Sequence, residues 1–349
     1  MKKMYFFLLV ILIIFFGCES DFEVHANWKE VTVVYGLLDQ SHSQQYIKIN
    51  KAFLGEGNAL QMATIADSVN YNPEDLVVRI FKVKDVTSST IDTISSILLD
   101  TTTSIIKDDG LFSTDKNIIY VTSIEDSSFF REDKEYILSI QNDRTGKEVW
   151  AETNLIHGLN LDIPSNKPIG FYNPITNPPV FPLQKATTTV NWYHSTNGKM
   201  YQIIARIYYT NFSQTDTILN YIDWIQPTIV YEGSNNMNYT FEGESFVNTL
   251  AKKISNSNKN LIARRLSHTE LLFTVGSEDL QIYMSVNKPF EGIVQERPVF
   301  TNINNGIGLF SCRYNRSHPM FFPPATKEGI SIDLDSLYFR TDFDFLFAD

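Results

Sequence analysis

Two pairs of carboxylates have a spacing suited to chemistry in this chain of 349 residues. The pairs are Asp333 with Asp335 and Asp342 with Asp344. Side chains two residues apart share one face of a β-strand, so such a pair could bind calcium through its oxygens. We favour a solvated strand face instead, with Ile332 and Leu334 turned inward.

The histidines and the known catalytic motifs indicate neither a metal site nor an enzyme. The histidines are His25, His42, His157, His194, His268 and His318. None has a second ligand at a zinc-type spacing, and no nucleophile elbow, phosphate-binding loop or dinucleotide fingerprint occurs. We therefore predict no enzymatic activity and no cofactor. A hydrolase with paired carboxylates is kept as the third interpretation, because β-sandwich active sites can combine distant residues.

Aromatic residues are frequent, at 13% of the chain, and could form a sugar-binding surface. The tryptophans are Trp28, Trp150, Trp192 and Trp224, and 17 tyrosines accompany them. Aromatic side chains in β-sandwiches more often pair across strands and fill the core, which is the interpretation that we favour. A surface glycan-binding module is the alternative function.

Composition and charge exclude two classes of protein. Hydrophobic residues make up 43% of the chain, which is too many for a disordered protein. The net charge of -11 argues against nucleic-acid binding, because a phosphate backbone is bound by excess Lys and Arg. The length predicts two domains, each large enough to bury a core of its own.

Residues 1–17 have the organisation of a secretory signal peptide. Lys2 and Lys3 precede the apolar run Tyr5–Phe16, which is too short to span a bilayer. Phe15–Cys18 resembles the bacterial lipoprotein signal, in which the thiol is joined to diacylglycerol and the new N-terminus is acylated, for example with palmitate. We predict lipidation at Cys18 and stable anchoring by the acyl chains. An ordinary thiol after a cleaved signal is the alternative.

Residues 18–27 are predicted to form an acidic tether. Its acidic residues are Glu19, Asp21 and Glu23. Acidic residues directly after the lipidated position resemble the export signal of surface-exposed lipoproteins in Bacteroidota. We predict a lipid-anchored protein of the outer membrane, exposed at the cell surface, with a merely solvated linker as the alternative.

The second cysteine, Cys312, has no disulfide partner if Cys18 carries lipid. Alternation in Ile307–Tyr314 places Phe310, Cys312 and Tyr314 on one face of a strand. No His or Asn pattern nearby indicates a nucleophile. We therefore predict a buried thiol without a catalytic role.

A period of two in the hydrophobic residues predicts an Ig-like β-sandwich over residues 28–158. The predicted strands are Val31–Leu37, Tyr46–Asn50, Leu76–Val83, Ile118–Ile124, Tyr136–Ile140 and Lys147–Thr153. The turn Asn142–Gly146 joins the last two as a hairpin. The fold class predicted for the whole chain is mainly β.

A proline-rich linker is predicted at residues 159–186, followed by a second β-rich domain at residues 187–349. The prolines of the linker are Pro164, Pro168, Pro174, Pro178, Pro179 and Pro182. One packed helix is expected near residues 244–254, where apolar residues recur at helical spacing. Strands are expected at Thr187–Tyr193, Met200–Thr210, Ile229–Glu232, Leu271–Val275, Leu280–Val286, Ile307–Tyr314 and Leu337–Arg340.

The segment Phe300–Phe310 is the most distinctive part of the sequence. Together with the Thr145-Gly146 turn and a lipid cysteine close before a β-sandwich, it resembles a family of Bacteroidota lipoproteins with a domain of unknown function. Members are often encoded near TonB-dependent outer-membrane receptors. Gly306 and Gly308 in this segment indicate a bulge or a close backbone approach, which we favour over a ligand site.

The resemblance implies a cell-envelope location and such neighbours, and it offers no catalytic residues to carry over. We predict a binding or accessory component whose partner is a TonB-dependent receptor or another envelope protein, with the membrane held through the lipid anchor. Glycan binding is the alternative, and it requires a row of exposed aromatic side chains on one sheet face.

Five triplets consist of Asp, then Ser or Thr, then an aliphatic residue or Thr. This pattern resembles the O-glycosylation acceptor motif of exported Bacteroidota proteins. The acceptors would be Ser68, Thr93, Thr101, Thr217 and Ser336. Since a glycan needs an exposed hydroxyl, Ser68 in the polar loop 66–73 is predicted to be the best acceptor. Ser336, inside a predicted strand, is predicted to be the poorest. Ordinary turns are the alternative interpretation.

Overall fold

The computed structural model describes residues 29–54, 59–87, 90–108, 110, 117–131, 134–164, 167–175, 182–255, 260–288 and 299–341. The predicted signal peptide, Cys18, the acidic tether and Trp28 lie outside these residues, as do Asp342 and Asp344. No helix in the described ranges is long and apolar enough to cross a membrane.

The described residues form strands and a smaller number of helices. The strands are β1 (Lys29–Leu38), β2 (Tyr46–Leu54), β3 (Leu76–Thr87), β4 (Thr90–Leu98), β5 (Asp100–Thr102), β6 (Ile119–Val121), β7 (Glu135–Asn142), β8 (Glu148–Asn154), β9 (Thr187–Tyr193), β10 (Met200–Ser213), β11 (Thr217–Ile225), β12 (Ile229–Val230), β13 (Asn236–Glu242), β14 (Leu261–Gly276) and β15 (Gly306–Phe321). The α-helices are α1 (Ala59–Ala63), α2 (Ala66–Val69), α3 (Gly243–Lys253), α4 (Glu278–Val286) and α5 (Pro324–Asp333). Short 3-10 helices lie at Pro73–Asp75, Ile124–Phe129 and Asp335–Leu337.

The strands form three sheets, and the prediction of a mainly β fold is confirmed. The largest sheet has nine strands, in the order β11-β10-β14-β15-β1-β2-β6-β5, with β12 joined to β10. A four-stranded sheet has the order β4-β3-β7-β8, and β13 pairs with β9 in the third sheet. Strand β1 runs parallel to β15, with Thr32 opposite Gly306 and Leu38 opposite Cys312.

The nine-stranded and four-stranded sheets share one hydrophobic core. Val34 and Ile47 of the larger sheet belong to the same buried cluster as Ile80, Leu138 and Ala151 of the smaller one. Strand β8 alternates strictly between exposed and buried residues, as the period of two requires for a strand with one solvated face. The packing of the two sheets is therefore sandwich-like.

The nine-stranded sheet crosses the predicted domain boundary at residues 159–186. Strands β1 and β2 come from the predicted first domain, whereas β10, β14 and β15 come from the predicted second one. The two predicted domains therefore share the largest sheet. A hydrophobic period shows which segments are strands, but it does not show which distant strands are neighbours.

The prediction of a linker at residues 159–186 is wrong, because apolar residues of this segment are part of the core. Ile169, Phe171 and Tyr172 are buried. The ring of Phe171 stacks on Phe246 of α3 with ring centroids 4.0 Å apart. Prolines exclude regular ladder pairing, but they do not prevent the side chains between them from filling a core.

The predicted helix is confirmed as α3, but it is not the only helix of the C-terminal half. Residues 280–286, predicted as a strand, belong to helix α4. The hydroxyl of Ser277 accepts from the backbone N–H of Leu280, and two acidic residues follow in the first turn, which together explain why a helix begins here.

The C-terminal segment also differs from the prediction. Residues 332–333 end helix α5 rather than forming a strand, and Pro324 at its first turn explains the helix start. The strand expected at residues 337–340 is reduced to a bridge between Phe339 and Arg264 after a 3-10 helix. Arg264 holds this segment, since its guanidinium donates to the carbonyl oxygen of Leu337 at 2.7 Å.

The close backbone approach predicted for Gly306 and Gly308 is confirmed. Both glycines lie in β15 against the backbone of β1. A Cβ on Gly306 would lie 2.8 Å from the carbonyl oxygen of Thr32, and one on Gly308 would overlap the carbonyl oxygen of Val34. The parallel pairing of β1 with β15 therefore depends on both positions lacking a side chain.

Candidate functional site

Cys312 is buried as predicted, with none of its surface exposed. Its thiol donates to the carbonyl oxygen of Asn154 at 2.8 Å. Burial raises the pKa of the Cys312 thiol to about 12. Because the thiolate is the reactive form, this residue is a structural thiol at neutral pH and not a nucleophile.

The carboxylates Asp333 and Asp335 do not form a paired site. Asp333 accepts a hydrogen bond from the Tyr172 hydroxyl at 2.7 Å and lies 3.0 Å from the ammonium of Lys185. Asp335 instead pairs with Arg340 at 2.7 Å. The described ranges contain no group of three or more His, Cys, Asp or Glu residues that could hold a metal ion.

The inward orientation predicted for Ile332 and Leu334 is half right. Leu334 is buried, whereas Ile332 is exposed. The two residues lie at the end of helix α5, so they do not share one face as they would in a strand.

The predicted glycosylation acceptors have different exposures. Thr101 and Thr217 are exposed, Ser68 is half-buried within helix α2, and the side chain of Thr93 lies outside the described residues. Ser336 is exposed in a 3-10 helix, which corrects its placement in a strand and removes the reason for ranking it last. Glycosylation itself stays a prediction.

Two of the three tryptophans in the described ranges are core residues, and several tyrosines are exposed. Trp192 and Trp224 are buried, and Trp150 is 37% exposed. On β10, β11 and β14, Tyr208 stacks on His268 with centroids 4.5 Å apart and lies 5.9 Å from Tyr221. A row of aromatic side chains thus exists on one sheet face, although tryptophan does not form it.

A second group of tyrosines surrounds a cavity of about 500 Å³, here called the Tyr35 cavity. Helix α4, strands β1, β2 and β15, and the turn between β1 and β2 surround it. Its lining residues are Tyr35, Gly36, Leu37, Asp39, His42, Gln44, Gln45, Tyr46, Leu280, Tyr283, Met284, Leu309 and Arg313. The volume and the mainly apolar lining with a few polar groups are typical of small-molecule sites.

Asp39 is the buried carboxylate of this cavity, with 2% of its surface exposed. Its Oδ1 accepts from the backbone N–H of Ser41 at 3.0 Å and from the Ser41 hydroxyl at 2.5 Å. Its Oδ2 accepts from Asn315 Nδ2 at 2.5 Å and lies 3.0 Å from His42 Nδ1 and 3.5 Å from Arg313 Nε. These donors satisfy the buried charge, so Asp39 orients its neighbours.

Strand order brings these groups together. Asp39 directly follows β1, and Arg313 directly follows Cys312, which is opposite Leu38 in the parallel pairing. Gln45 closes the turn: its Oε1 accepts from the backbone N–H of Asp39 at 2.7 Å, and its Nε2 donates to the Asp39 carbonyl oxygen at 2.9 Å. The turn is therefore held in one conformation before any ligand arrives.

His42 has one ring nitrogen available to a ligand. Its Nδ1 faces the Asp39 carboxylate, which only accepts, so this nitrogen carries a proton. In the neutral imidazole the Nε2 atom is then a hydrogen-bond acceptor. The side chain of His42 is 55% exposed, so this atom is open to solvent and to a bound molecule.

Tyr35 and Tyr283 form the aromatic wall of the cavity. Their rings make an edge-to-face pair with centroids 6.1 Å apart, and the Tyr283 hydroxyl donates to that of Tyr35 at 3.2 Å. Burial and the Tyr35 hydroxyl raise the pKa of Tyr283 to about 12, so the Tyr283 hydroxyl stays protonated at neutral pH. Tyr46 adds a third exposed ring at the opening.

The Tyr35 cavity suits ligand binding better than the row of Tyr208 and Tyr221. Beside that row, Arg206 makes a two-pronged ion pair with Asp223 at 2.7 and 2.9 Å, which lowers the pKa of the Asp223 carboxyl. The polar groups of the row are thus used within the protein. The cavity adds concave shape, and its Arg313 terminal nitrogens have no hydrogen-bond partner among the residues that the structure describes.

Sequence reasoning missed the residues of this cavity. The spacing of His42 indicates no metal site, and the alternation around Tyr35 predicts only a strand face. The signal available was the polar turn Asp39–Gln45 between two strands, with two tyrosines within four residues of it along the chain. In comparisons with known proteins, no protein-family model matches the chain and no curated protein shows a significant match.

Proposed function

We propose that the protein is a lipid-anchored binding protein of the outer membrane, without catalytic activity, and that the Tyr35 cavity holds a carbohydrate. The observation that carries this proposal is the combination of exposed tyrosine rings with hydrogen-bonding groups in one concave site. The lipid anchor and the envelope location rest on the sequence of residues 1–23.

Binding is favoured over hydrolysis by the number of acidic groups. Glycoside hydrolysis uses two carboxylates on opposite sides of the scissile bond. Among the described residues that line the cavity, Asp39 is the one carboxylate, and its oxygens are occupied by protein donors. A TonB-dependent receptor or another envelope protein is kept as the proposed partner, on the family resemblance alone.

The first prediction concerns the sugar-binding surface. Tyr35→Ala in the full chain is expected to weaken carbohydrate binding by about 3- to 10-fold, because one aromatic contact contributes about 0.5–1.5 kcal/mol. Isothermal titration calorimetry against a panel of soluble oligosaccharides measures this loss. Tyr193→Ala, an equally exposed tyrosine away from the cavity, is the matched control and should leave the affinity unchanged. Equal losses for both variants, or no binding by the native protein, would contradict the assignment.

The second prediction concerns the anchor. Cys18→Ser is expected to abolish lipidation and leave an uncleaved or soluble precursor, because the acyl chains supply most of the membrane affinity. Labelled palmitate incorporation and membrane fractionation measure the two effects. Cys312→Ser is the control, since that thiol is buried and should not take up lipid. If Cys18→Ser still fractionates with membranes and the native chain takes up no palmitate, the anchor is wrongly assigned.

A further inference from the structure

We propose that the ligand of the Tyr35 cavity carries a carboxylate, which Arg313 binds, so that the preferred class is an acidic sugar of the uronate type. This inference rests on the proposed function and narrows it from carbohydrates in general to one charge class.

The two terminal nitrogens of Arg313 are available to donate hydrogen bonds to a ligand. Its Nε lies 3.5 Å from Asp39 Oδ2, which holds the base of the guanidinium near the buried carboxylate. Within the described part of the chain no hydrogen bond joins its two terminal nitrogens to another group, and 43% of the side chain is exposed at the cavity. The planar fork of a guanidinium matches the two oxygens of a carboxylate, and such a pair is stronger than a neutral hydrogen bond.

A cationic ligand is disfavoured, because the Asp39 carboxylate that would bind it is already occupied. Five donor atoms from Ser41, His42, Arg313 and Asn315 already contact its oxygens. No oxygen is left for an ammonium group without breaking one of these contacts, which is costly at a buried carboxylate. The charged group that the described lining exposes to a ligand is therefore the Arg313 guanidinium, with 43% of its side chain exposed against 3% for Asp39.

The local charge of the lining supports an anion although the whole chain is acidic. Among the described lining residues the charged side chains are Asp39 and Arg313, and Asp39 is buried with its oxygens already contacted by protein donors. The net charge of -11 repels anions at long range. Salt screens exposed charges beyond about 8 Å, which weakens this repulsion. Asp39 lies within that distance but is buried, so a carboxylate in the cavity would contact the exposed guanidinium and not Asp39.

The remaining groups suit the rest of a sugar ring. Tyr35 offers an exposed aromatic face, and His42 Nε2 offers an acceptor to a hydroxyl. Gln44 is already used, because its Nε2 donates to the Thr122 carbonyl oxygen at 3.0 Å and its Oε1 accepts from the Tyr46 hydroxyl. The cavity thus offers a guanidinium for a carboxylate, an aromatic face for a sugar ring and an acceptor for a hydroxyl. A uronate unit carries all three of the matching groups.

A matched pair of probes tests the charge requirement without any mutation. Trigalacturonate and its methyl ester share one skeleton and differ in the carboxylate charges. We expect the full chain, solubilised in detergent, to bind trigalacturonate at least about tenfold more tightly by calorimetry, with an affinity that falls as salt is raised. Equal affinities for the acid and the ester would overturn the carboxylate assignment and leave carbohydrate binding intact. Binding of neither probe, and of no neutral oligosaccharide, would overturn the proposed function itself.

Substitution of the guanidinium then locates the contact. Arg313→Gln should lose about tenfold in affinity for trigalacturonate and keep its affinity for the ester within twofold. Arg313→Lys, which keeps the charge but not the fork, should lie between. Arg144→Gln is the control, because Arg144 is also exposed but does not line the cavity. An equal loss of affinity for both probes in Arg313→Gln, or the same loss in Arg144→Gln, would refute a carboxylate contact at Arg313. Thermal melting identifies a variant that has simply unfolded.

Discussion

Gly308→Ala is expected to lower the free energy of unfolding by more than about 4 kcal/mol, the largest effect that we predict for a single substitution. Gly308 has a φ of +114°, which L side chains rarely adopt. A Cβ there would overlap the Val34 carbonyl oxygen and lie 3.1 Å from the Val34 amide nitrogen. Both are backbone atoms of the paired strand, so the overlap can be relieved only by moving β1 away from β15.

Gly233→Ala separates the two causes of this loss. Gly233 has a similar φ of +104°, but no atom lies within 4 Å of the position that a Cβ would take. Its substitution should cost about 1–2 kcal/mol, the conformational part alone. Urea unfolding followed by circular dichroism measures both variants. Similar losses in the two would show that the close approach of β1 to Gly308 is not a constraint on the fold.

Phe171→Ala is expected to lower the free energy of unfolding by about 3–5 kcal/mol, as for other buried phenylalanines. The ring stacks on Phe246 at 4.0 Å and meets Trp224 edge-on at 5.9 Å. Its removal would leave a cavity between helix α3 and strand β11, because these neighbours are themselves buried and cannot collapse fully. The same urea unfolding experiment measures the loss.

Phe321→Ala is the matched control for Phe171→Ala. Phe321 is 47% exposed at the end of β15, so the same truncation should cost less than about 1 kcal/mol. If the segment around Phe171 were a true linker, both substitutions would have small effects. That outcome would restore the separate domains predicted from the prolines and contradict the packing of Phe171 against α3.

The sequence predicted single elements well where one face of a strand is buried. The alternation in Ile307–Tyr314 predicted a strand with a buried Cys312, and helical spacing predicted α3. It failed at α4, because leucine and isoleucine at residues 280 and 282 fit a short strand as well as a helix. There the N-terminal cap at Ser277 was the better signal.

The candidate site could not be predicted from the sequence, because its residues are distant in the chain. Asp39 and Asn315 are 276 positions apart, yet their side chains are joined by a hydrogen bond. Tyr35 and Tyr283 meet only because helix α4 follows β14 and packs beside β15. Neither residue lies in a local motif that predicts chemistry, so no search by spacing would have joined them.

The sequence by itself determined the mainly β class, most strands, the helix α3, the buried thiol and the closely packed glycines of β15. Each depends on residues adjacent along the chain, whose alternation or spacing records which face is buried. Only the tertiary structure decided that β1 pairs with β15, that Phe171 belongs to the core, and that Asp39, His42 and Arg313 share one cavity. Pairing between distant strands depends on burying the combined apolar faces of the whole chain, and no local period carries that information.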